Sequence, residues 1–234
     1  MAHSLIAIVS CHTRKEWRDI IRSTWLSMVP EGTDVRFFLG RGEHTDQPDE
    51  IILDCDDSYQ GLPAKVQCIV KWALSNDYNY ALKLDDDTVL DPVAMLNSGY
   101  DKHSYVGMAG HRPVLPSRPF FVAGGFAYWM DKKSMMLVAE AELPSNNYDE
   151  GWVASVLYEH GIELHADQRY FIEVGRVIPN IERRRPAPRI RKSTAPGTFA
   201  WCIYLEPNGS TRYSTQTKIE EFKRVFAVEV VAKK

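Results

Sequence analysis

The sequence predicts a single-domain α/β fold built on a mostly parallel central sheet. Strand-like runs alternate with amphipathic, helix-like segments through the first hundred residues, which is the pattern of parallel sheets. The first run, residues 5–9, is apolar at every position, as in a strand that is covered on both faces. No linker or internal repeat interrupts the 234 residues, so we expect one domain spanning 1–234.

The individual elements follow from periodicity and from turn signals. In the predicted first helix, Trp17, Ile20 and Ile21 belong to one apolar stripe. A basic, proline-containing segment at 182–197 predicts a loop, and Asn208-Gly209 predicts a hairpin turn. The predicted strands are 5–10, 35–39, 51–53, 80–84, 105–108 and 126–130, and the predicted helices are 15–26, 62–74, 132–141, 152–160 and a closing helix after a capping box of Thr217 and Glu220.

The composition excludes several classes of protein. The chain has 28 Lys and Arg against 31 Asp and Glu, a formal net charge of −3, and is 44 % hydrophobic. These values are ordinary for globular proteins and exclude collagen-like, coiled-coil and wholly disordered chains. The slightly acidic balance argues against bulk nucleic-acid binding, so we expect no nucleic-acid partner. The four cysteines form no CxxC pair, which indicates buried free thiols rather than a zinc site.

Three consecutive aspartates, Asp85, Asp86 and Asp87, follow the apolar strand at 80–84. Open α/β sheets bind their ligands at the carboxyl ends of strands. Adjacent carboxylates repel one another, and a divalent cation relieves that repulsion. Mg²⁺ and Mn²⁺ suit such oxygen ligands, together with the phosphates of a substrate. A solvated acidic turn is the alternative interpretation, and Asp54-Cys55-Asp56 is a competing motif of the same kind.

Five segments, in this order within residues 5–165, match the pattern of one enzyme family. They are Arg18-x-x-Ile21-Arg22-x-Thr24-Trp25, Phe37-Phe38-Leu39-Gly40, Asp54-x-x-Asp57-Ser58-Tyr59-x-x-Leu62-x-x-Lys65, Lys83-x-Asp85-Asp86-Asp87 and Phe120-x-x-x-Gly124-Gly125. The ordered set resembles the inverting β-1,3-glycosyltransferases of family 31, which include β-1,3-galactosyltransferases and the Fringe proteins. In that pattern Asp54 and Asp57 fall in the block before the metal motif, which leaves the aspartate triplet as the metal candidate.

The resemblance implies a GT-A fold, which is a Rossmann-like α/β/α sandwich, with a nucleotide-binding half at about 1–100 and an acceptor-side half at about 101–234. It implies a UDP-sugar donor, a glycan or other hydroxyl-bearing acceptor, and a divalent cation, Mn²⁺ or Mg²⁺. The sugar transferred would be galactose or an N-acetylhexosamine, moved by direct displacement with inversion. Asp87 with Asp85 is the expected metal site, and Asp85 and Asp86 are expected to serve the donor ribose, the sugar or the metal's waters.

An inverting transferase needs a carboxylate that takes the acceptor proton during attack. The family places this Asp in an E-D-V-x-V-G stretch that opens a helix, and the run from Asp149 to Ala154 is the matching segment. The ungapped register puts Glu150 at the base position and Asp149 before it, so the acidic pair is transposed and both residues are candidates. The alternative is that acids in a first helical turn only interact with the helix dipole.

The loop after the first strand, with Ser10, His12 and Thr13, is expected to hold the nucleoside of the donor. Arg14, Arg18 and Arg22 recur every four residues and share one side of the first helix. Arg18 or Arg22 is the candidate for a role at the site, which would be to support either this loop or a donor phosphate, and a solvated basic face is the alternative.

Four more residues carry two interpretations each. Lys65 is either a phosphate contact or a partner in a salt bridge to an Asp. Gly124 and Gly125 permit close approach of the acceptor sugar, or simply a tight turn. Trp152 either stacks on the acceptor ring or packs in the core.

Two other functions remain open from the sequence. The run from Asp85 to Val89 also fits the first motif of haloacid-dehalogenase-type phosphatases, in which Asp85 would be a phosphorylated nucleophile. A degenerate transferase that only binds sugar is the third candidate, because Tyr204 stands where the family supplies a late His ligand. No apolar run approaches the roughly 20 residues that cross a bilayer, so we expect no membrane span and a cytoplasmic location, or the Golgi lumen if an N-terminal anchor was removed.

Overall fold

The structure, a computed structural model, describes residues 3–108, 126–175 and 200–205. Its strands are β1 (Ser4–Val9), β2 (Asp34–Leu39), β3 (Glu50–Ile52), β4 (Tyr80–Asp85), β5 (Thr88–Leu90), β6 (Tyr105–Gly107), β7 (Ala127–Asp131), β8 (His165–Ala166), β9 (Tyr170–Gly175) and β10 (Ala200–Leu205). Its α-helices are α1 (Lys15–Ser23), α2 (Leu62–Ser75), α3 (Pro92–Leu96), α4 (Lys132–Glu140) and α5 (Asp149–Glu159).

Seven of the described strands form a mostly parallel sheet in the order β3-β2-β1-β4-β7-β6-β8. The strands β1, β2, β3 and β4 are parallel, and β7 runs antiparallel to both of its neighbours, β4 and β6. The predicted α/β fold with a mostly parallel sheet is confirmed. A smaller sheet has the order β5-β10-β9, and only two residues separate the end of β4 from the start of β5, so it continues from the carboxyl edge of the main sheet.

The main sheet is covered on both faces, as the apolar first strand predicts. Ile6 and Ile8 of β1 pack in one apolar cluster with α1 and α3. Leu5, Ala7 and Val9 pack in a second cluster with α2, α4 and α5. Alternate side chains of a strand point to opposite faces, so β1 contributes to both layers of an α/β/α sandwich.

Helix α1 is shorter than predicted, because the chain leaves the helical conformation at Thr24, where φ is −121° and ψ is −111°. The hydroxyl of Thr24 donates to the carbonyl of Ile20 at 2.6 Å, a local bond that competes with the helical ladder. Residues Trp25–Met28 form a separate 3-10 turn. Helix α5, by contrast, begins at Asp149, three residues before the predicted start.

Several predictions fall elsewhere in the chain. The loop at 182–197, the turn at Asn208-Gly209 and the closing helix lie outside the described residues.

None of the described helices is long and apolar enough to span a membrane. Of the described cysteine side chains, Cys55 is buried, whereas Cys11 and Cys68 are half-buried free thiols.

Candidate active site

The carboxyl ends of β1 and β4 lie side by side, because Val9 pairs with Asp85 in the parallel ladder. The chain continues from these two strand ends into Ser10 and Asp86. The hydroxyl of Ser10 donates to Asp86 Oδ2 at 2.7 Å. The loop that follows β1 and the aspartate triplet that follows β4 are therefore joined at one place, as the strand-end argument predicts.

The three aspartates have different surroundings. The Asp86 side chain is only 5 % exposed and contacts Arg14 Nη2 at 2.8 Å through Oδ1. Asp85 is 31 % exposed and receives a 2.6 Å contact from Lys83 Nζ. Asp87 is 23 % exposed and lies 3.5 Å from Arg14 Nη2. Asp85 and Asp87 thus reach solvent, whereas Asp86 is held inside by protein groups.

Burial raises the pKa of two of these carboxyl groups. The pKa of Asp86 is raised to about 7 by burial, against the lowering effect of Arg14 and with a further rise from Asp87. The pKa of Asp85 is raised to about 6 by burial, against the lowering effect of Lys83 and again with a contribution from Asp87. Burial is the main cause of both shifts, and the nearby charge of Asp87 adds to each; an additional cation would favour the ionised forms.

Asp85 and Asp87 fit a divalent cation that substrate phosphates help to hold. At nucleotide sites Mg²⁺ binds through one or two carboxylates and completes its shell with phosphates and waters. Among the described residues, no group of three or more His, Cys, Asp or Glu side chains is arranged to hold a metal ion. A cation at these two aspartates would therefore depend on a bound ligand for its remaining contacts, and the cofactor stays a prediction.

Lys83 links the triplet to the acidic pair on α5. Its ammonium lies 2.6 Å from Asp85 Oδ1 and 3.6 Å from Asp149 Oδ2. Both Lys83 and Asp149 are 3 % exposed. Burial lowers the pKa of Lys83, but Asp85 and Asp149 together raise it above its ordinary value. A buried lysine is stable in its charged form only with such partners, so this ammonium holds the two acidic segments together.

Glu150 stands next to Asp149 in the first turn of α5 and is partly exposed. Its pKa is raised to about 8, first by burial and then by the charge of Asp149, against the lowering effect of Lys83. At neutral pH, therefore, Glu150 is mainly protonated. Such a pair can accept a proton from a bound hydroxyl once Glu150 is ionised.

Tyr105 and Tyr128 are buried side chains close to this acidic pair. Their rings meet edge to face with centroids 5.8 Å apart, and Lys83 Nζ lies 5.7 Å from the centroid of the Tyr128 ring. Neither hydroxyl has a hydrogen-bond partner among the described residues. Burial raises the pKa of both phenols well above its ordinary value, and so do nearby charges that include Asp149. Both phenols therefore stay protonated, and their hydroxyls can donate to a water or ligand.

Asp57 organises the loop that follows β1. Its carboxylate accepts from the backbone N–H of His12 at 2.8 Å, from the N–H of Gly40 at 2.6 Å and from Lys65 Nζ at 2.7 Å. Lys65 also donates to the carbonyl of Ser10 at 2.8 Å. A Cβ at Gly40 would lie 2.6 Å from the Asp57 backbone, which explains the glycine at the end of β2. Of the two roles predicted for Lys65, a phosphate contact or a salt bridge to an Asp, the structure shows the salt bridge.

The rival acidic motif takes no part in this organisation. The Asp54 side chain is 90 % exposed and pairs with Arg41 at the surface. Asp56 accepts from the hydroxyl and the N–H of Ser58, its neighbour in the same turn. The block Asp54–Lys65 therefore supports the loop after β1 through Asp57, and the triplet remains the acidic cluster at the sheet edge.

Arg18 and Arg22 support the loop and its surroundings from inside. Arg18 is buried; it donates to the carbonyl of Cys11 at 2.6 Å, to the hydroxyl of Ser10 at 3.1 Å and to Glu50 at 2.9 Å. Arg22 contacts Glu50 at 2.6 Å and makes a two-pronged contact with Asp49 at 2.7 and 2.9 Å. Of the predicted interpretations, the geometry favours loop support for Arg18, whereas Arg22 pairs with the acidic residues at the start of β3.

The remaining predicted residues are dispersed. Thr13 is exposed beside Cys11, with 3.3 Å between Thr13 Oγ1 and Cys11 Sγ. Trp152 is 8 % exposed in the apolar cluster of α2, α4 and α5, and its indole N–H donates to the carbonyl of Glu142 at 2.9 Å. This favours core packing for Trp152. Gly124 and Gly125 lie outside the described residues.

Sequence reasoning placed Arg14 only on the basic face of the first helix and Lys83 only within the metal motif, and it gave no role to Tyr105 or Tyr128. A lysine inside the apolar run of β4 was a usable signal, because a charge there must find a buried partner. The two tyrosines are ordinary in strands and carried no local signal, and the four-residue spacing of Arg14 with Arg18 did not indicate its contact with the triplet.

The fold that carries these residues is the GT-A fold of glycosyltransferases. Solved structures that share it include galactosyltransferase LgtC in complex with donor and acceptor sugar analogues, with a TM-score of 0.54 and 11 % identity over 96 % of this chain and 95 % of that one. An active-site mutant of LgtC matches with a TM-score of 0.53 and 12 % identity over the same shares. No protein-family model matches the sequence, and no curated protein matches it. At these identities the likeness shows the fold, and the resemblance to family 31 stays a prediction.

Proposed function

We propose that the chain is an inverting glycosyltransferase, resembling those of family 31, that moves a hexose from a UDP-sugar to an acceptor hydroxyl. Galactose and N-acetylhexosamine are the sugars that the resemblance favours. One observation carries the proposal. Lys83 contacts Asp85 of the triplet and Asp149 of the acidic pair, so the candidate donor and base groups meet at the carboxyl edge of a GT-A sheet.

The acidic pair would supply the general base. Direct displacement at the anomeric carbon needs one group that removes the acceptor proton, and a positioned base contributes typically about 10²–10⁴-fold. Asp149 is buried against Lys83, whereas Glu150 is partly exposed. We therefore assign the base to Glu150, whose pKa is raised first by burial and then by the neighbouring Asp149. This is the residue that the ungapped alignment with the family's E-D-V-x-V-G motif puts at the base position.

Asp87, with Asp85, would hold the divalent cation. When bound, Mn²⁺ or Mg²⁺ would neutralise the diphosphate that leaves with the nucleotide. The chain's own groups prepare the rest of the donor site. Ser10, fixed by Lys65 through its carbonyl and by Asp86 through its hydroxyl, gives the loop after β1 a rigid edge on which a nucleoside can rest.

The two competing functions make different demands on the acidic residues of the site. A phosphatase of the haloacid-dehalogenase type would use Asp85 as a nucleophile, while the GT-A likeness of the sheet supports a transferase. A sugar-binding module would leave the acidic pair without a chemical task. The raised pKa of Glu150 supports an acid–base role, because perturbed carboxyl groups are concentrated at catalytic sites.

The direct test is release of UDP from a panel of UDP-sugars, with Mn²⁺ and with a chelator, with and without simple glycoside acceptors. Wild-type protein should release UDP from at least one donor, and Asp87→Asn should not. Asp54→Asn is the matched control, because that aspartate is exposed and away from the triplet. Donor binding without any turnover would favour the sugar-binding module. Release of phosphate from a phosphoester, with a phosphoryl group trapped on Asp85, would favour the phosphatase.

A further inference from the structure

Arg14 lies beside the aspartate triplet, in the 3-10 turn His12–Arg14 that precedes α1. Its Nη2 atom is 2.8 Å from Asp86 Oδ1 and 3.5 Å from Asp87 Oδ2. The first contact is a close ion pair and the second is longer. The guanidinium is therefore shared unequally between two adjacent carboxylates.

The two carboxylates are held by Arg14 with different strength. Asp86 is buried and is fixed a second time by the hydroxyl of Ser10, so its contact with Arg14 is part of the folded interior. Asp87 is partly exposed and its contact with Arg14 is 3.5 Å long, so this ion pair is the weaker of the two. A stronger cation can take Asp87 from Arg14 without disturbing Asp86.

Arg14 also has hydrogen-bonding capacity to spare. A guanidinium carries five N–H donors in a planar fork, and Nε of Arg14 is buried with no acceptor among the described residues. The guanidinium carbon lies 5.1 Å from the ring centroid of Trp17, which restricts its orientation. The side chain is 36 % exposed, so it can be reached by a ligand at the sheet edge. Forked donors of this kind match phosphate oxygens.

We propose that Arg14 holds Asp87 in the donor-free protein and binds the donor's diphosphate when Asp87 takes a divalent cation. This inference rests on the proposed function, since it assumes a nucleoside-diphosphate donor. It assigns Arg14 two opposite effects. The guanidinium competes with the metal ion for Asp87, and it attracts the diphosphate. A residue that only stabilised the fold would assist both binding events.

The test separates the two effects by measuring each ligand alone. Free Mn²⁺ is counted by electron paramagnetic resonance during titration of the protein without nucleotide, and UDP affinity is measured by calorimetry at saturating Mn²⁺. The variant is Arg14→Gln, which removes the charge but can still donate to Asp86. The matched control is Lys15→Gln, because Lys15 is exposed and pairs with Asp19 within α1. Arg14→Lys, which keeps the charge, is the second variant.

For Arg14→Gln we expect Mn²⁺ to bind about threefold to tenfold more tightly, because the competing cation is gone. We expect UDP to bind about tenfold more weakly, because a charged donor to phosphate is lost. Arg14→Lys should lie between Arg14→Gln and wild type in both measurements, and Lys15→Gln should match wild type.

Two results would overturn the role of Arg14. One is a loss of affinity for both ligands in Arg14→Gln and Arg14→Lys, which indicates support of the fold. The other is no change in either affinity. Failure of the proposed function has a different signature, in which neither wild type nor Lys15→Gln binds UDP. If both of these bind UDP and Arg14→Gln binds it equally well, the donor assignment stands and only the Arg14 inference fails.

Discussion

Replacing Glu150 by Gln should stabilise the protein while abolishing transfer. The pKa of Glu150 is raised to about 8 in the folded protein, from an ordinary value of 4.5. The folded state therefore binds this proton more tightly than the unfolded state does. Folding stability from this group is fully present below about pH 4.5 and is lost progressively as the pH rises towards about 8. Gln keeps the shape of the protonated acid and has no proton to lose.

The magnitude follows from the difference between the two pKa values. Each pKa unit corresponds to about 1.4 kcal/mol, so ionising Glu150 costs the fold at most about 5 kcal/mol at high pH. At about pH 6 the corresponding cost is about 2 kcal/mol, because only the unfolded state is ionised there. The advantage of Glu150→Gln should thus grow by at most about 3 kcal/mol between about pH 6 and about pH 9. At roughly 2–4 °C per kcal/mol, the difference in Tm should widen by about 5–10 °C.

The assay is thermal unfolding followed by circular dichroism across this pH range. Glu159→Gln is the control, because Glu159 lies at the exposed end of the same helix and undergoes the same chemical change. Parallel Tm profiles for wild type, Glu150→Gln and Glu159→Gln would refute the reasoning, since they would mean that Glu150 ionises as freely in the folded protein as in the unfolded one.

The remaining predictions concern the rate, the loop and the core. Transfer should increase with pH through about 8, because the proposed base acts only when Glu150 is ionised, and a pH–rate profile that is flat over this range would contradict its assignment. Lys65→Met should lower the free energy of unfolding in urea by about 3 kcal/mol, because Asp57 loses its ammonium partner, whereas Lys71→Met on the exposed side of α2 should change it little. Trp152→Phe should leave the acceptor KM within about twofold of wild type, because the indole packs in the core; a much larger rise would mean that Trp152 contacts the acceptor.

The parts of the site that lie at strand ends follow well from the sequence. The apolar run of β1 predicts a strand buried on both faces, which is typical of parallel sheets, and parallel strands such as β1 and β4 bring their carboxyl ends to the same edge. Ser10 and Asp86 then meet because each follows one of these strand ends. Burial and strand direction decide this arrangement, and both are encoded locally in apolar runs.

Contacts that depend on packing between distant elements could not be predicted in this way. Lys83 is a visible anomaly in an apolar strand, but its partner Asp149 arrives only when α5 packs on the sheet. Arg14 reaches the triplet from the turn before α1, with its guanidinium beside the ring of Trp17, and the apolar stripe that contains Trp17 does not indicate this contact.

The central claim is that the aspartate triplet and the acidic pair flank one donor site. A crystal structure of the protein with UDP and Mn²⁺ tests it most directly. We expect the diphosphate beside Asp87, the cation bound to this carboxylate, and the Glu150 carboxyl facing the space where the sugar would extend from the diphosphate. Ordered UDP at another surface, with the triplet still paired to Arg14 and Lys83, would contradict the claim.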